Sequence, residues 1–258
     1  MSHASDNRSF TWLNVAQFLG ALNDNVFKLL VIFLLVDLLG DAHRTGIVAT
    51  ASIVFVVPFL LFSHAGGVLA DRFSKRHIIV SLKVLEIFIT VFGCFAVYTR
   101  NPVALYGVLF VLCLQSALFG PSKYGIVPEL VRTERLSKAN SLMEGLTYLA
   151  IIVGTFIPSY LLLNVFNRSY SGLAVFTVAV AVAGVAAAVR ISPTPAAQNR
   201  RAFSVLFVAD IFRTLNGVRK DVYLFATILG SAYFLFLGAF IQQNALLYGQ
   251  DVLHLGWI

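Results

Sequence analysis

The chain has 258 residues, of which 59% are hydrophobic and only 12% charged, and it carries a formal net charge of +7. Soluble domains carry about 25% charged residues, so this composition excludes an ordinary soluble enzyme or binding module and points to an all-α integral membrane protein. Apolar runs of about 20 residues recur, the length a helix needs to cross a bilayer, while the alternating pattern of an outer-membrane barrel is absent.

Seven spans are predicted in chain order: Trp12–Leu39, Gly46–Leu69, Ile78–Tyr98, Val103–Gly120, Asn140–Asn164, Gly172–Val189 and Val222–Gly249. The first run is too long for a cleavable signal peptide and lacks a small-residue cleavage site. Between Phe18 and Leu39 it holds fifteen Leu, Ile, Val or Phe residues. These favour insertion by roughly 5–9 kcal/mol, and Asp24 and Lys28 together oppose it by ~6 kcal/mol. Asn23 and Asn25 raise the cost further. Asn14, Gln17, Ala21, Asp24 and Lys28 recur every three or four residues, which is one helical face. Asp24 and Lys28 are spaced to pair along it. Such a stripe either lines a watery passage or forms a structural ion pair that locks two helices.

Pro58 is expected to kink the second span. The loop after it reads GGVLADRFSKRH (Gly66–His77). Gly67 suits close helix approach, Asp71 is placed to cap a helix start or pair with an arginine, and Arg72, Lys75 and Arg76 hold one side of the membrane. The plainer reading is a basic loop. The third span carries Lys83 and Glu86, an ion pair or a snorkelling lysine with a nearby acid. Asn101-Pro102 marks the turn into the fourth span. Cys94 and Cys113 read as small core residues, with neither a disulfide framework nor metal spacing around them.

Lys123 and Tyr124 are expected just after the fourth span, with Tyr124 at the interface. In the fifth, Asn140, Glu144 and Thr147 share a face, and Glu144 has no partner within a turn, so its partner is expected on another helix. The sixth span is dense in Ala, Gly and Val, which suits close packing in lipid. Residues 190–220 are polar and basic. Within them Phe203, Leu206, Phe207, Ile211 and Leu215 fall at helical spacing, as an amphipathic surface helix or a plain linker.

Of nineteen Lys and Arg residues, fourteen fall at the N-terminus and on the loops of the same side, and three (Arg44, Arg100 and Arg168) on the other. This split predicts a cytoplasmic N-terminus and explains the basic charge without nucleic-acid binding. The expected organisation is a six-helix bundle over 1–189, a basic linker over 190–220, and the start of a second bundle over 221–258, as in a piece of a longer protein.

The second loop resembles the signature between helices two and three of the major facilitator superfamily, G-x-x-x-D-R-x-G-R-R/K, here Gly67-x-x-x-Asp71-Arg72-x-Ser74-Lys75-Arg76, with Ser74 in place of the usual second glycine. The resemblance implies a fold of two six-helix halves, of which this chain holds the first plus helix seven. FLGALNDNVFK (Phe18–Lys28), FGPSKYGIVPELV (Phe119–Val131) and ERLSKANSLMEG (Glu134–Gly145) resemble the bacterial lysophospholipid transporters. That resemblance implies transport of lysophospholipid, chiefly the ethanolamine form, to the inner leaflet of the bacterial inner membrane for reacylation. It also implies a partner acyltransferase and acyl–acyl-carrier-protein synthetase, fused or separate. Under it, Asp24 and Glu144 are placed to hold an ammonium and Lys28 or Lys123 a phosphate, with Asn23, Asn25 and Tyr124 beside them. Two other readings stand: the same fold with a soluble cargo, and a membrane scaffold for a fused acyltransferase. No nucleophile elbow, phosphate-cradling loop or metal cluster is legible, so no catalytic residue and no cofactor is expected.

Overall fold

The computed structural model describes residues 3–193, 217, 219 and 221–251. The chain divides into two compact units, 1–201 and 202–258. Among the described residues the first unit holds seven α-helices: α1 (His3–Leu39), α2 (Arg44–Arg72), α3 (Lys75–Thr99), α4 (Pro102–Gly125), the short α5 (Val127–Leu130), α6 (Leu136–Asn164) and α7 (Tyr170–Ala188). Among the described residues, six helices are long and apolar enough to cross a membrane, all of them in this unit. The second unit contributes α8 (Val222–Asp251), whose shorter apolar part runs Val222–Gly238. Asp221 caps it, its Oδ1 accepting from the Tyr223 and Leu224 N–H groups at 3.1 Å each. The predicted amphipathic helix over residues 203–215 lies outside the described residues.

Burial sets the order of the bundle. The apolar stretch of α1 is 78% buried, against 22% for α2 and α6. The helix with the costliest residues is therefore the one surrounded by protein, as hydrocarbon demands. It packs on α7, α6 and α4, while α3 packs on α4 and α7, and α2 lies mainly along α4.

Helices gain little from hydrophobicity when their surroundings are lipid, so close contact between small residues holds them together. At Gly66 an added Cβ would lie 3.0 Å from both Cα and O of Leu118, whereas one at Gly67 would meet nothing within 4 Å. The close approach of α2 to α4 is thus made by Gly66, which corrects the expectation for Gly67. The two glycines lie a helical step of about 100° apart, and spacing alone does not say which faces the neighbour.

The helices outrun their apolar runs. Lys123 and Tyr124, expected after the fourth span, sit in the last turn of α4, which continues through Pro121 to Gly125. Hydropathy reports the length in hydrocarbon, while the backbone ladder continues for as long as its N–H and C=O groups find partners. α4 starts as expected: the Asn101 Oδ1 accepts from Val103 N at 2.9 Å and Ala104 N at 3.2 Å, with Pro102 at the first helical position.

The loop cations are tied to particular acceptors. Arg76 donates from Nε to Ile191 O at 3.2 Å and from Nη2 to Val189 O at 3.1 Å, covering carbonyls that the end of α7 leaves open. Lys75 pairs with Glu129 on α5. The Arg190 guanidinium lies 4.5 Å over the Trp12 ring, and the Ser9 and Ser192 hydroxyls meet at 2.6 Å. Asp71 and Arg72 end α2, and the N-cap of α3 is Ser74 rather than Asp71. At the opposite end, the Tyr170 hydroxyl donates to Asp37 Oδ2 at 2.6 Å, joining α7 to α1.

Candidate functional site

The polar stripe of α1 divides into a closed part and an open part. Asn23 and Asp24 are buried, at 0% and 5% exposure. Asn23 donates from Nδ2 to Glu86 Oε1 at 2.9 Å. Glu86 in turn accepts from Lys83 Nζ at 2.6 Å, both side chains being almost wholly enclosed. Lys83 therefore does not snorkel; its ammonium lies 5.2 Å from the Phe119 ring centre. Asp24 accepts at Oδ2 from the Ser116 hydroxyl on α4 at 2.6 Å, while its Oδ1 is buried with no partner among the described residues. Gln115 anchors α4 to α3 by donating to Leu82 O at 3.2 Å.

Asp24 and Lys28 do not pair. The Lys28 ammonium lies 4.8 Å over the Phe55 ring of α2, and the side chain is partly exposed. Residues four apart are neighbours on a helix, yet interhelical partners outcompete the local pair here. The Asp24 carboxylate turns toward α4 and the Lys28 stem toward α2. Asn25 is also half-buried and returns its Nδ2 to Ala21 O at 2.8 Å.

A second cluster, buried at Asn14 and Gln17 of α1 and exposed at Tyr124 and Glu144, joins α1, α4 and α6. Gln17 Oε1 accepts from Lys123 Nζ at 3.0 Å and from Thr147 Oγ1 at 3.2 Å. The Gln17 amide nitrogen donates to Met143 O at 3.0 Å and Asn14 Oδ1 at 3.2 Å. The Lys123 ammonium lies 4.8 Å over the Tyr124 ring. The Tyr124 hydroxyl donates to Glu144 Oε2 at 2.7 Å. One phenol ring therefore stands between a cation and an anion, and both Tyr124 and Glu144 are exposed. The helical partner that Glu144 lacked within its own turn is Tyr124 on α4.

The structure thus brings Lys123, Tyr124 and Glu144 together, places Asn25 and Lys28 further along α1, and sets Asn23, Asp24, Lys83 and Glu86 inside the bundle. Sequence reasoning missed Ser116 and Gln115. Their signal was present as two adjacent polar residues within the apolar run LCLQSALFG of α4. Chemically, the open cluster offers charges of both signs and a phenol on one face, while the closed cluster is a hydrogen-bonded core.

Six membrane-length helices among the described residues, one of them the buried and polar α1, define a multi-pass helical membrane protein. The chain belongs to the Major Facilitator Superfamily, whose sequence profile it matches over residues 13–258. Its fold is similar to the crystal structure of the POT family transporter PepTSo. The TM-score is 0.55 at 19% identity, over 78% of this chain and 40% of that one. In sequence it is similar to the lysophospholipid transporter LplT of Cronobacter sakazakii, with 34% identity over 144 residues, 55% of this chain and 33% of that protein. The protein of the same name from Photorhabdus laumondii is 33% identical over 150 residues, 57% of this chain and 35% of that protein. That of Escherichia coli is 33% identical over 141 residues, 55% and 33% of the two chains. The chain spans about a third of the length of these curated relatives.

Proposed function

We propose that this protein carries lysophospholipid across the bacterial inner membrane, from the outer to the cytoplasmic leaflet, with its own N-terminus in the cytoplasm. The observation that carries the reading is the Lys123–Tyr124–Glu144 arrangement, in which an ammonium and a carboxylate flank one phenol on an exposed face. A zwitterionic phosphoethanolamine headgroup needs an anion for its ammonium and a cation for its phosphate. Glu144 supplies the first, and Lys123 and Lys28 the second. Exposed apolar side chains, Ile53, Val56 and Leu60 on α2 and Ile152 and Phe156 on α6, give an acyl tail surfaces on which to remain dehydrated. Similarity to three proteins named lysophospholipid transporters supports the cargo, and the asymmetry of Lys and Arg supports the orientation. The motif residues Gly67, Asp71, Arg72, Lys75 and Arg76 mark where the bundle end rearranges as the two halves rock. An acyltransferase with its acyl–acyl-carrier-protein synthetase, fused or separate, is the reaction partner that consumes the delivered lysolipid.

The test is uptake of labelled lysophosphatidylethanolamine by cells lacking their own transporter, comparing the full-length protein with Glu144→Gln and Lys123→Gln at matched membrane levels. The reading expects uptake by wild type and its loss in both variants. Wild type without uptake of any lysolipid overturns it in favour of a soluble cargo.

A further inference from the structure

A polar cavity, of about 250 Å³, opens at the bundle end remote from the chain's N-terminus. Its walls include Arg100, Arg168 and Tyr170, over a floor from Leu34 and Val97. The two arginines come from different interhelical turns, Arg100 closing α3 and Arg168 preceding α7. Both backbones are left-handed, with φ of 51° and 64°, a region that favours glycine, yet both positions carry arginine. These are two of the three cations outside the spans on this side of the predicted topology, and they meet at one cavity. Asp37 lies beside the cavity, held by the Tyr170 hydroxyl at 2.6 Å.

We infer that this cavity binds the phosphate group of a phospholipid headgroup through Arg100 and Arg168. The guanidinium fork matches phosphate oxygens in pairs. α7 begins at the cavity wall and adds the partial positive charge of a helix start. The volume is below the roughly 300–1,000 Å³ of pockets that enclose a whole ligand, which suits a headgroup whose tail stays outside. Tyr98, also on the wall and 80% exposed, is placed like the aromatic residues that sit at headgroup level. That the lipid is cargo rests on the transport reading, whereas the site itself rests on the cavity and its arginines.

The full-length protein, purified in neutral maltoside, is titrated calorimetrically with dihexanoyl phosphatidylglycerol and, in a second arm, with inorganic phosphate. Wild type is compared with Arg100→Gln/Arg168→Gln and with Arg135→Gln/Lys138→Gln, which removes equal charge at the other end. The phosphatidyl probe is expected to bind wild type and the distal variant alike, and the Arg100/Arg168 variant about tenfold more weakly. The paired Arg→Lys variant, which keeps the charge and loses the fork, is expected to fall between. Weakening with both probes assigns the phosphate group alone as the ligand, and weakening with the lipid probe only assigns the headgroup. Equal binding of both probes by all variants overturns the site. No transport is measured, so the result stands whether or not the chain moves lysolipid.

Discussion

A Cβ added to Gly20 would collide with the Lys83 ammonium nitrogen. The absence of a side chain at that point of α1 is what admits the lysine into the bundle, where it reaches Glu86 at 2.6 Å. Gly184 on α7 gives room on the other side, 3.5 Å from Lys83 Cδ. Removing one member of a buried pair leaves the other charge uncompensated, at a cost of about 3–5 kcal/mol. Lys83→Met is therefore expected to lower thermal stability in detergent by about that much. Gly20→Ala pushes in the same direction, because the lysine end must give way to the added methyl. Adding Glu86→Gln to Lys83→Met should recover most of the loss, since the amide carries no charge and still accepts from Asn23. A double variant less stable than Lys83→Met would show that the pair is not what the loss measures.

The Tyr124 hydroxyl holds one Glu144 oxygen at 2.7 Å. Hydrogen bonds to charged groups contribute about 1.5–3 kcal/mol. If that bond orients the carboxylate toward an ammonium, Tyr124→Phe should reduce the uptake of lysophosphatidylethanolamine about tenfold while leaving the melting temperature unchanged. Both residues are exposed on the bundle surface, so stability has little to lose. Comparing uptake with the melting curve of the same preparation is the check. A fall in both together would assign the bond to folding.

Much of this was legible beforehand, for physical reasons. Membrane length, Asn101-Pro102 and the charge asymmetry follow from local chemistry, and the structure shows six membrane-length helices and the Asn101 cap. The stripe from Asn14 to Lys28 was legible as a face, because helical period needs no partner. What stayed hidden was which neighbour each side chain meets. Asp24 and Lys28 are spaced to pair, but Ser116 and Phe55 claim them, and nothing in the sequence of α1 names residues on other helices. For the same reason the stripe read as one surface, although interhelical packing encloses Asp24 and leaves Lys28 partly open.

Asp24 and Ser116 make a third test. Ser116→Ala strips the carboxylate of its one hydrogen bond among the described residues, and leaving a buried polar group unsatisfied costs about 1–3 kcal/mol, more for a charged one. Its melting temperature should fall accordingly. Asp24→Asn removes the buried charge and keeps a group that can bond the Ser116 hydroxyl, so it should melt no lower than wild type. Uptake then separates two roles at constant stability. Loss of uptake in Asp24→Asn makes the charge part of transport, and full uptake makes Asp24 a packing residue.

Gly66 and Gly67 differ by one position and by what faces them. The atoms opposite Gly66 are backbone, Leu118 Cα and O at 3.0 Å and Ala117 O at 3.2 Å, and backbone cannot swing aside as a side chain does. Gly66→Ala must push α2 away from α4, and overpacking of this kind costs about 1–3 kcal/mol. Gly67 faces open space, so Gly67→Ala should be neutral or stabilising by up to about 1 kcal/mol, the helix-propensity gain of alanine over glycine. The two single variants, melted side by side, make a paired test. If Gly67→Ala is the one that destabilises, α2 sits on α4 through the glycine named by the loop motif, and the contact at Gly66 is not the one that holds them.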